Sequence, residues 1–245
     1  MSTEARNARG SSGRPEEHPC FASFRSLWSA GSRRDRRHRE TQLRVLAQMA
    51  RLVRAYAEGR ARLLDIGGMG GFQSVVLRDQ LDRPATPVLF AERDERPPDM
   101  RGEVEFRRVD LERDRFPADD ASFDVAVWNR DLVTVKDVVH PLREVRRVLA
   151  PDGLLVLSVP NLAALHNRLL LLGGRQPTTL HIAEDHVRGF APVSFAQFLR
   201  RSLGFRELEV RSVGLHPFTS AVLPGPLRGL GHTVIWLLAK DEWAR

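Results

Sequence analysis

An α/β fold, with a mostly parallel sheet of seven strands, helices on both faces and an antiparallel C-terminal hairpin, is the architecture this sequence predicts. Three observations carry it. From Arg60 onward, short apolar runs alternate with longer amphipathic stretches, the pattern of a parallel sheet covered by helices. A glycine-dense turn, "DIGGMGGF", joins the first run to a helical pattern. Acidic residues end or follow several of the runs, which is where such Rossmann-like sheets bind their ligands.

The chain has 245 residues, 42% hydrophobic and 28% charged, enough for one full core and an extra segment. No run approaches eighteen uninterrupted apolar residues, and "MSTEARNARGSSGRPEEHP" lacks the apolar middle of a signal peptide. A soluble protein of the cytoplasm is therefore expected. Cys20 is the single cysteine, which excludes an intramolecular disulfide and a cysteine-built metal site.

Residues 1–31 are polar and rich in Gly, Ser and mixed charge at their start, and are expected to be a disordered arm; one domain then spans 32–245. The formal charge of +7 is concentrated at the front: residues 1–62 hold 14 Arg against 6 acids, and the remainder is close to neutral. In "TQLRVLAQMARLVRAYAEG", Leu43, Leu46, Ala47, Ala50, Val53 and Ala57 recur at helical spacing and Gly59 ends the pattern. Most of the arginines thus read as the outer face of that helix and its approach. With only two lysines, the Arg excess is a weak argument for phosphate contact. The near-neutral remainder of the chain disfavours nucleic acid as a partner, and a membrane surface stays open as an alternative.

The strands are read in order as "ARLLDIG", "PVLFAE", "VEFRRVD", "FDVAVW", "GLLVLSVP", "RELEVRSV" and "TVIWLLAK", the last two forming a hairpin at the sheet edge. Pro97 and Pro98 bar a full helix between the second and third runs, so one sheet face is expected to be partly uncovered there. Two excursions interrupt the pattern, near 161–190 and 215–232. The first of these and the helix before Gly59 are expected to lie over the mouth of the site and form a pocket; the second is read as extending that pocket or touching a membrane or a partner.

The glycine loop fits neither familiar nucleotide loop. A P-loop needs Lys followed by Ser or Thr, and there is no Lys. In G-x-G-x-x-G counted from Gly68, the third glycine falls on Gln73. Asp65, just ahead of the glycines, would repel a pyrophosphate but accept hydrogen bonds from a cationic ligand.

At this point residues 61–214 resemble the class I S-adenosylmethionine-dependent methyltransferases. "DIGGMGG" keeps Asp65, Gly67 and Gly71 of the loop that, in that family, wraps the methionine part of the cofactor, with Met69 at the place of the middle glycine and Gly68 between them as a further cofactor-binding candidate. Glu92 ends the second strand, where the family holds the ribose hydroxyls. Asp110 and Leu111 follow the third, where it places the adenine. "FPADDASFDVAVWN" and "EVRRVLAPDGLLVLSVPN" keep the family's order of Phe116, Pro117, Phe123, Asp124, Glu144, Arg147 and Gly153. Asp124 starts a strand, opposite the ligand end, and reads as structural.

The resemblance implies S-adenosyl-L-methionine as cofactor and methyl transfer to a small organic acceptor, most simply an oxygen. The helix after the fourth strand often carries a Glu-His pair in that family; those places hold Val133 and Thr134. Asn129 then reads as a wall of the cofactor site, and Asp131 and His186 are left as candidate bases. His181, Glu184, Asp185 and His186 are too irregularly spaced for a metal site, so none is expected. Two alternatives remain: an inactive binding protein of this fold, or an enzyme acting on a lipid-linked or glycan acceptor.

Overall fold

The computed structural model describes residues 33–180, 186–215 and 218–241. The expected N-terminal arm with Cys20, and His181, Glu184 and Asp185, lie outside the described residues, as does the side chain of Met69. The strands are β1 (Leu63–Ile66), β2 (Val88–Ala91), β3 (Glu105–Arg108), β4 (Phe123–Asn129), β5 (Leu149–Pro160), β6 (Phe205–Leu215), β7 (Thr219–Val222) and β8 (Thr233–Lys240). They form one sheet in the order β3-β2-β1-β4-β5-β8-β6-β7. The pairs from β3 to β5 are parallel, and β8 runs antiparallel to both β5 and β6.

The C-terminal strands differ from the expected edge hairpin. β6 and β8 are antiparallel neighbours, but β8 is an interior strand and the second excursion supplies an eighth strand, β7, at the edge. The cause is legible in burial. "TVIWLLA" is buried on both faces, as an inner strand must be, whereas β6 is only half-buried along much of its length.

Among the described residues five α-helices complete the fold: α1 (Arg33–Ala55), α2 (Phe72–Arg78), α3 (Val139–Val148), α4 (Leu165–Leu172) and α5 (Pro192–Leu203). On one face, Leu46, Met49, Leu52 and Val53 of α1 pack with Val76 and Leu77 of α2 onto Leu63, Val125, Val156 and Leu237. On the other, Leu142 and Val145 of α3 and Phe195 and Leu199 of α5 cover Trp128 and Trp236. Burying each such side chain contributes about 1.5–3 kcal/mol. The buried stripe of α1 also takes in Val45, so this helix is a sheet cover and not the expected wall of the mouth.

The sheet face beside β2 is covered, while β3 at the edge stays partly exposed, as expected. A 3₁₀ turn, Pro98–Met100, replaces the missing helix and buries Met100 with Phe72, Val75, Leu89 and Val104, and Leu43 of α1 packs against that group. At the opposite end of the strands Asp124 behaves as expected. It accepts hydrogen bonds from the Ala61 and Arg62 amides (3.0 and 2.9 Å) and pairs with the Arg62 guanidinium at 2.6 Å. Burial raises its pKa, but the bonds from Arg62 prevail and hold it below the ordinary value.

Glu144 and Arg147 form a brace between α3 and the stretch before β4. Arg147 Nη2 donates to Glu144 Oε2 at 2.7 Å and to the Phe116 carbonyl at 3.0 Å, and Nη1 donates to the Ala118 carbonyl at 2.9 Å and to Asp120 at 2.7 Å. Glu144 Oε2 in turn accepts from the Phe116 amide at 2.8 Å. These family-like residues therefore hold the scaffold and stand outside the cleft.

Candidate active site at the carboxyl ends of the strands

Register brings the predicted residues to one edge. Ile66 lies opposite Phe90 and Trp128, and Ala91 opposite Arg108, so the chain leaves β1, β2, β3 and β4 at nearly one level. Gly67 and Gly68, Glu92, Asp110 and Asn129 follow those positions directly. The Gly67 amide donates to the Phe90 carbonyl at 2.9 Å, and Gly71 caps α2.

Asp65 is fully buried, and both its oxygens have protein donors: Gln73 Nε2 at 2.7 Å and Ser74 Oγ at 2.6 Å. Gln73 Oε1 accepts from Asn129 Nδ2 at 2.7 Å, and Asn129 Oδ1 accepts from Ser158 Oγ at 2.5 Å. This buried chain of hydrogen bonds ties β1, α2, β4 and β5 together immediately under the loop. Burial raises the Asp65 carboxyl to about 6, against the lowering effect of the bonds from Ser74, Gln73 and the Ile66 backbone. Asp65 and Asn129 thus act on the loop from below, and their side chains are already engaged.

The loop glycines are required by close approach. A Cβ on Gly68 would strike the Asp65 carboxylate, and one on Gly67 would strike the Asp131 carboxylate. Arg130 leaves β4 with a left-handed φ of 72°, a conformation unfavourable for a side-chain-bearing residue, and this turn carries Asp131 over Gly67. Among the described residues no hydrogen-bond donor engages the Asp131 carboxylate. Burial pushes it up to about 7; the Arg130 charge opposes this, and the negative charges of Asp65 and Glu95 add to it.

Glu92 is exposed beyond β2, and among the described residues nothing engages its carboxylate. Asp110 Oδ1 accepts from the Glu112 amide at 2.9 Å, and Leu111 is buried beside it. His186 is half-buried, with Nδ1 at 3.2 Å from the Thr179 carbonyl. The next amide, Val187, donates to the Val133 carbonyl at 2.9 Å, so His186 adjoins the turn Asp131–Val133. Arg188 is anchored to the Lys136 carbonyl. Among the described residues no cluster of three His, Cys, Asp or Glu side chains is suited to a metal, and no helix is long and apolar enough to cross a membrane.

Sequence reasoning missed the supporting polar groups. Gln73, Ser74 and Ser158 complete the network under the loop. The signal for the first two was a polar pair, "QS", at the start of an otherwise apolar helix; Ser158 is a lone polar residue in the apolar run of β5.

The geometry suits an adenosyl sulfonium carrying an ammonium group. The Asp131 carboxylate, without a hydrogen-bond donor among the described residues, overhangs the Gly67 backbone, and the Glu92 carboxylate stands exposed at the end of β2, the neighbour of β1. A family model described as a methyltransferase domain matches residues 35–210. No curated protein sequence matches the chain significantly. Among solved structures, it resembles a S-adenosylmethionine-dependent methyltransferase of Thermotoga maritima, described as a possible histamine N-methyltransferase. That likeness has a TM-score of 0.61 at 20% identity over 91% of this chain and 98% of that one. A S-adenosylmethionine-dependent methyltransferase of Archaeoglobus fulgidus gives 0.59 at 16% identity over 90% and 99%. The 1,6-didemethyltoxoflavin-N1-methyltransferase of Burkholderia thailandensis, solved with its acceptor and S-adenosylhomocysteine, gives 0.56 at 16% over 99% and 92%. At these identities the structural likeness is one of fold, and the family match carries the assignment: the chain belongs to the class I S-adenosylmethionine-dependent methyltransferases.

Proposed function

We propose that the protein methylates an oxygen of a small organic acceptor held at the strand ends beside His186. When bound, S-adenosylmethionine supplies an already activated methyl group, so the protein's task is alignment, exclusion of water and removal of a proton. The observation that supports the cofactor part of this reading is the Asp131 carboxylate, poised over Gly67 without a hydrogen-bond donor among the described residues, and the one that supports the acceptor part is His186 beside the same turn.

Asp131 faces the part of the loop assigned to the methionine chain, so we assign it to the cofactor ammonium and not to proton abstraction. Glu92 accepts hydrogen bonds from the ribose hydroxyls. Asp110 and Leu111 border the adenine, and Gly67, Gly68 and Gly71 let the backbone approach closely. Asp65 and Asn129 hold that backbone in place through Gln73. His186, beside the same turn, takes the proton of the acceptor hydroxyl.

Two of the structural relatives are named for N-methylation of small molecules, one of them as a possible activity. Nitrogen is therefore the second reading, and it asks less of a base. Titration with S-adenosylhomocysteine by calorimetry should show binding that Glu92→Gln weakens, and absence of binding by the unaltered protein would overturn the cofactor assignment. Once an acceptor is found in a panel of small phenols, acids and amines, His186→Gln separates the readings. A hydroxyl acceptor should lose roughly a hundredfold or more in kcat. An amine acceptor should lose much less.

A further inference from the structure

The helix α4 is turned the wrong way round for a water-facing surface. Its buried residues are polar: Asn167 Nδ2 donates to the Asn161 carbonyl at 3.0 Å, Asn167 Oδ1 accepts from the Thr178 amide at 3.0 Å, and the His166 ring stacks on His232 at 5.6 Å. Its outward residues are leucines, with Leu169 58%, Leu171 57% and Leu172 85% exposed. A surface helix of a soluble domain normally shows the reverse arrangement.

The second excursion continues this surface. Asn161 Nδ2 donates to the Gly229 and Gly231 carbonyls at 3.0 and 2.8 Å, which fixes residues 225–231 beside α4. Phe218 is 76% exposed there, and Leu227 is also exposed. The N-terminal part of α1 reaches the same end of the sheet, since Thr41 approaches Gly214 next to β7.

Charge identifies the occupant. Residues 161–180 and 210–240 contain no Asp or Glu, while Arg168 and Arg175 flank the α4 leucines and are exposed. The sequence that opens α1, "RRDRRHRE", adds five arginines against two acids. A second copy of this chain would set two such basic surfaces, without Asp or Glu in residues 161–180 and 210–240, against each other. An anionic bilayer instead offers phosphates to the arginines and an apolar layer to the leucines and phenylalanine.

We propose that α4 and the 218–231 segment seat the protein on an anionic lipid surface, with the leucines and Phe218 in the headgroup boundary and the arginines toward the phosphates. The inference does not depend on methyl transfer, but it would bring a lipid-borne acceptor to the strand ends.

The test is flotation of the full chain with vesicles of phosphatidylcholine alone or with about a quarter phosphatidylglycerol. The protein should float only with the anionic vesicles, and less in about 0.5 M salt. The variant Leu171→Ser/Leu172→Ser/Phe218→Ser should lower partitioning at least roughly tenfold with its circular dichroism unchanged. Its affinity for S-adenosylhomocysteine should equal that of the unaltered protein, and failure of that ligand to bind either protein would bear on the cofactor and not on the membrane. No flotation with anionic vesicles, or flotation unaffected by the variant, would overturn the proposal. A dimer in sedimentation velocity that the same substitutions abolish, without vesicle binding, would give the surface to a second copy.

Discussion

Asp131 combines two effects of opposite value. Its carboxyl is raised to about 7 by burial and by Asp65 and Glu95, so the folded protein without ligand bears a cost for ionising it. Between the unfolded carboxyl value and about 7 the folded chain binds more protons than the unfolded one, so this group makes stability fall as pH rises. Asp131→Asn should therefore stabilise the ligand-free protein at pH 8 by about 1–2 kcal/mol, allowing for solvent screening, and change little near pH 4, as read by thermal denaturation at both pH values. The same substitution should weaken S-adenosylhomocysteine binding about tenfold at pH 8, because an ionised carboxylate attracts the ligand's ammonium. In the unaltered protein, binding should strengthen as pH rises through about 7, and the variant should lose that dependence. A variant less stable at pH 8, or one with unchanged affinity, would contradict the assignment. Gly68→Ala tests the neighbouring contact: the added methyl meets the buried Asp65 carboxylate, and a loss of about 2–4 kcal/mol is expected in urea denaturation.

At the scale of elements, the strongest family pattern and the proposed cofactor cleft are separate structures. The brace of Glu144 and Arg147 ties α3 to the Phe116–Asp120 stretch through the mostly buried ion pair at 2.7 Å and bonds to two carbonyls. Arg147→Met removes the cation and leaves the Glu144 carboxylate without its partner. About 2–3 kcal/mol of stability should be lost, the exposed bond to Asp120 adding little. Measured in the folded protein, S-adenosylhomocysteine affinity should stay within about twofold, since the brace lies outside the cleft. A large loss of affinity at unchanged stability would mean that the brace positions the cleft. The sequence pattern located these residues correctly without indicating whether they hold the fold or the ligand. Only hydrogen-bond geometry distinguishes the two, and the same is true of Asp65 and Asn129, whose side chains serve the loop from beneath.

At the scale of the molecule, the alternation of runs was enough to place every strand of the sheet but β7, and the acids that follow them fell on one edge because parallel register carries them there. What local pattern could not supply was long-range pairing. The insertion of β8 between β5 and β6 depends on which strand can bury both faces, and the role of α1 depends on where its stripe finds a partner. Leu43, Leu46, Ala47, Ala50 and Val53 gave the stripe, but only the apolar face of β1, β4, β5 and β8 made it a cover instead of a lid. This placement has a measurable consequence. If α1 belongs to the common core, Met49, fully buried against that face, should behave as a core residue of the entire sheet. Met49→Ala should then cost about 2–5 kcal/mol. The urea transition should shift as one step, with far-ultraviolet circular dichroism and tryptophan fluorescence coincident and the slope unchanged. A separate early transition in the dichroism signal, with the fluorescence midpoint unmoved, would show α1 to be an independent flap. Coincident transitions would instead make the helix a condition for the strand ends, and hence the cleft, to form at all.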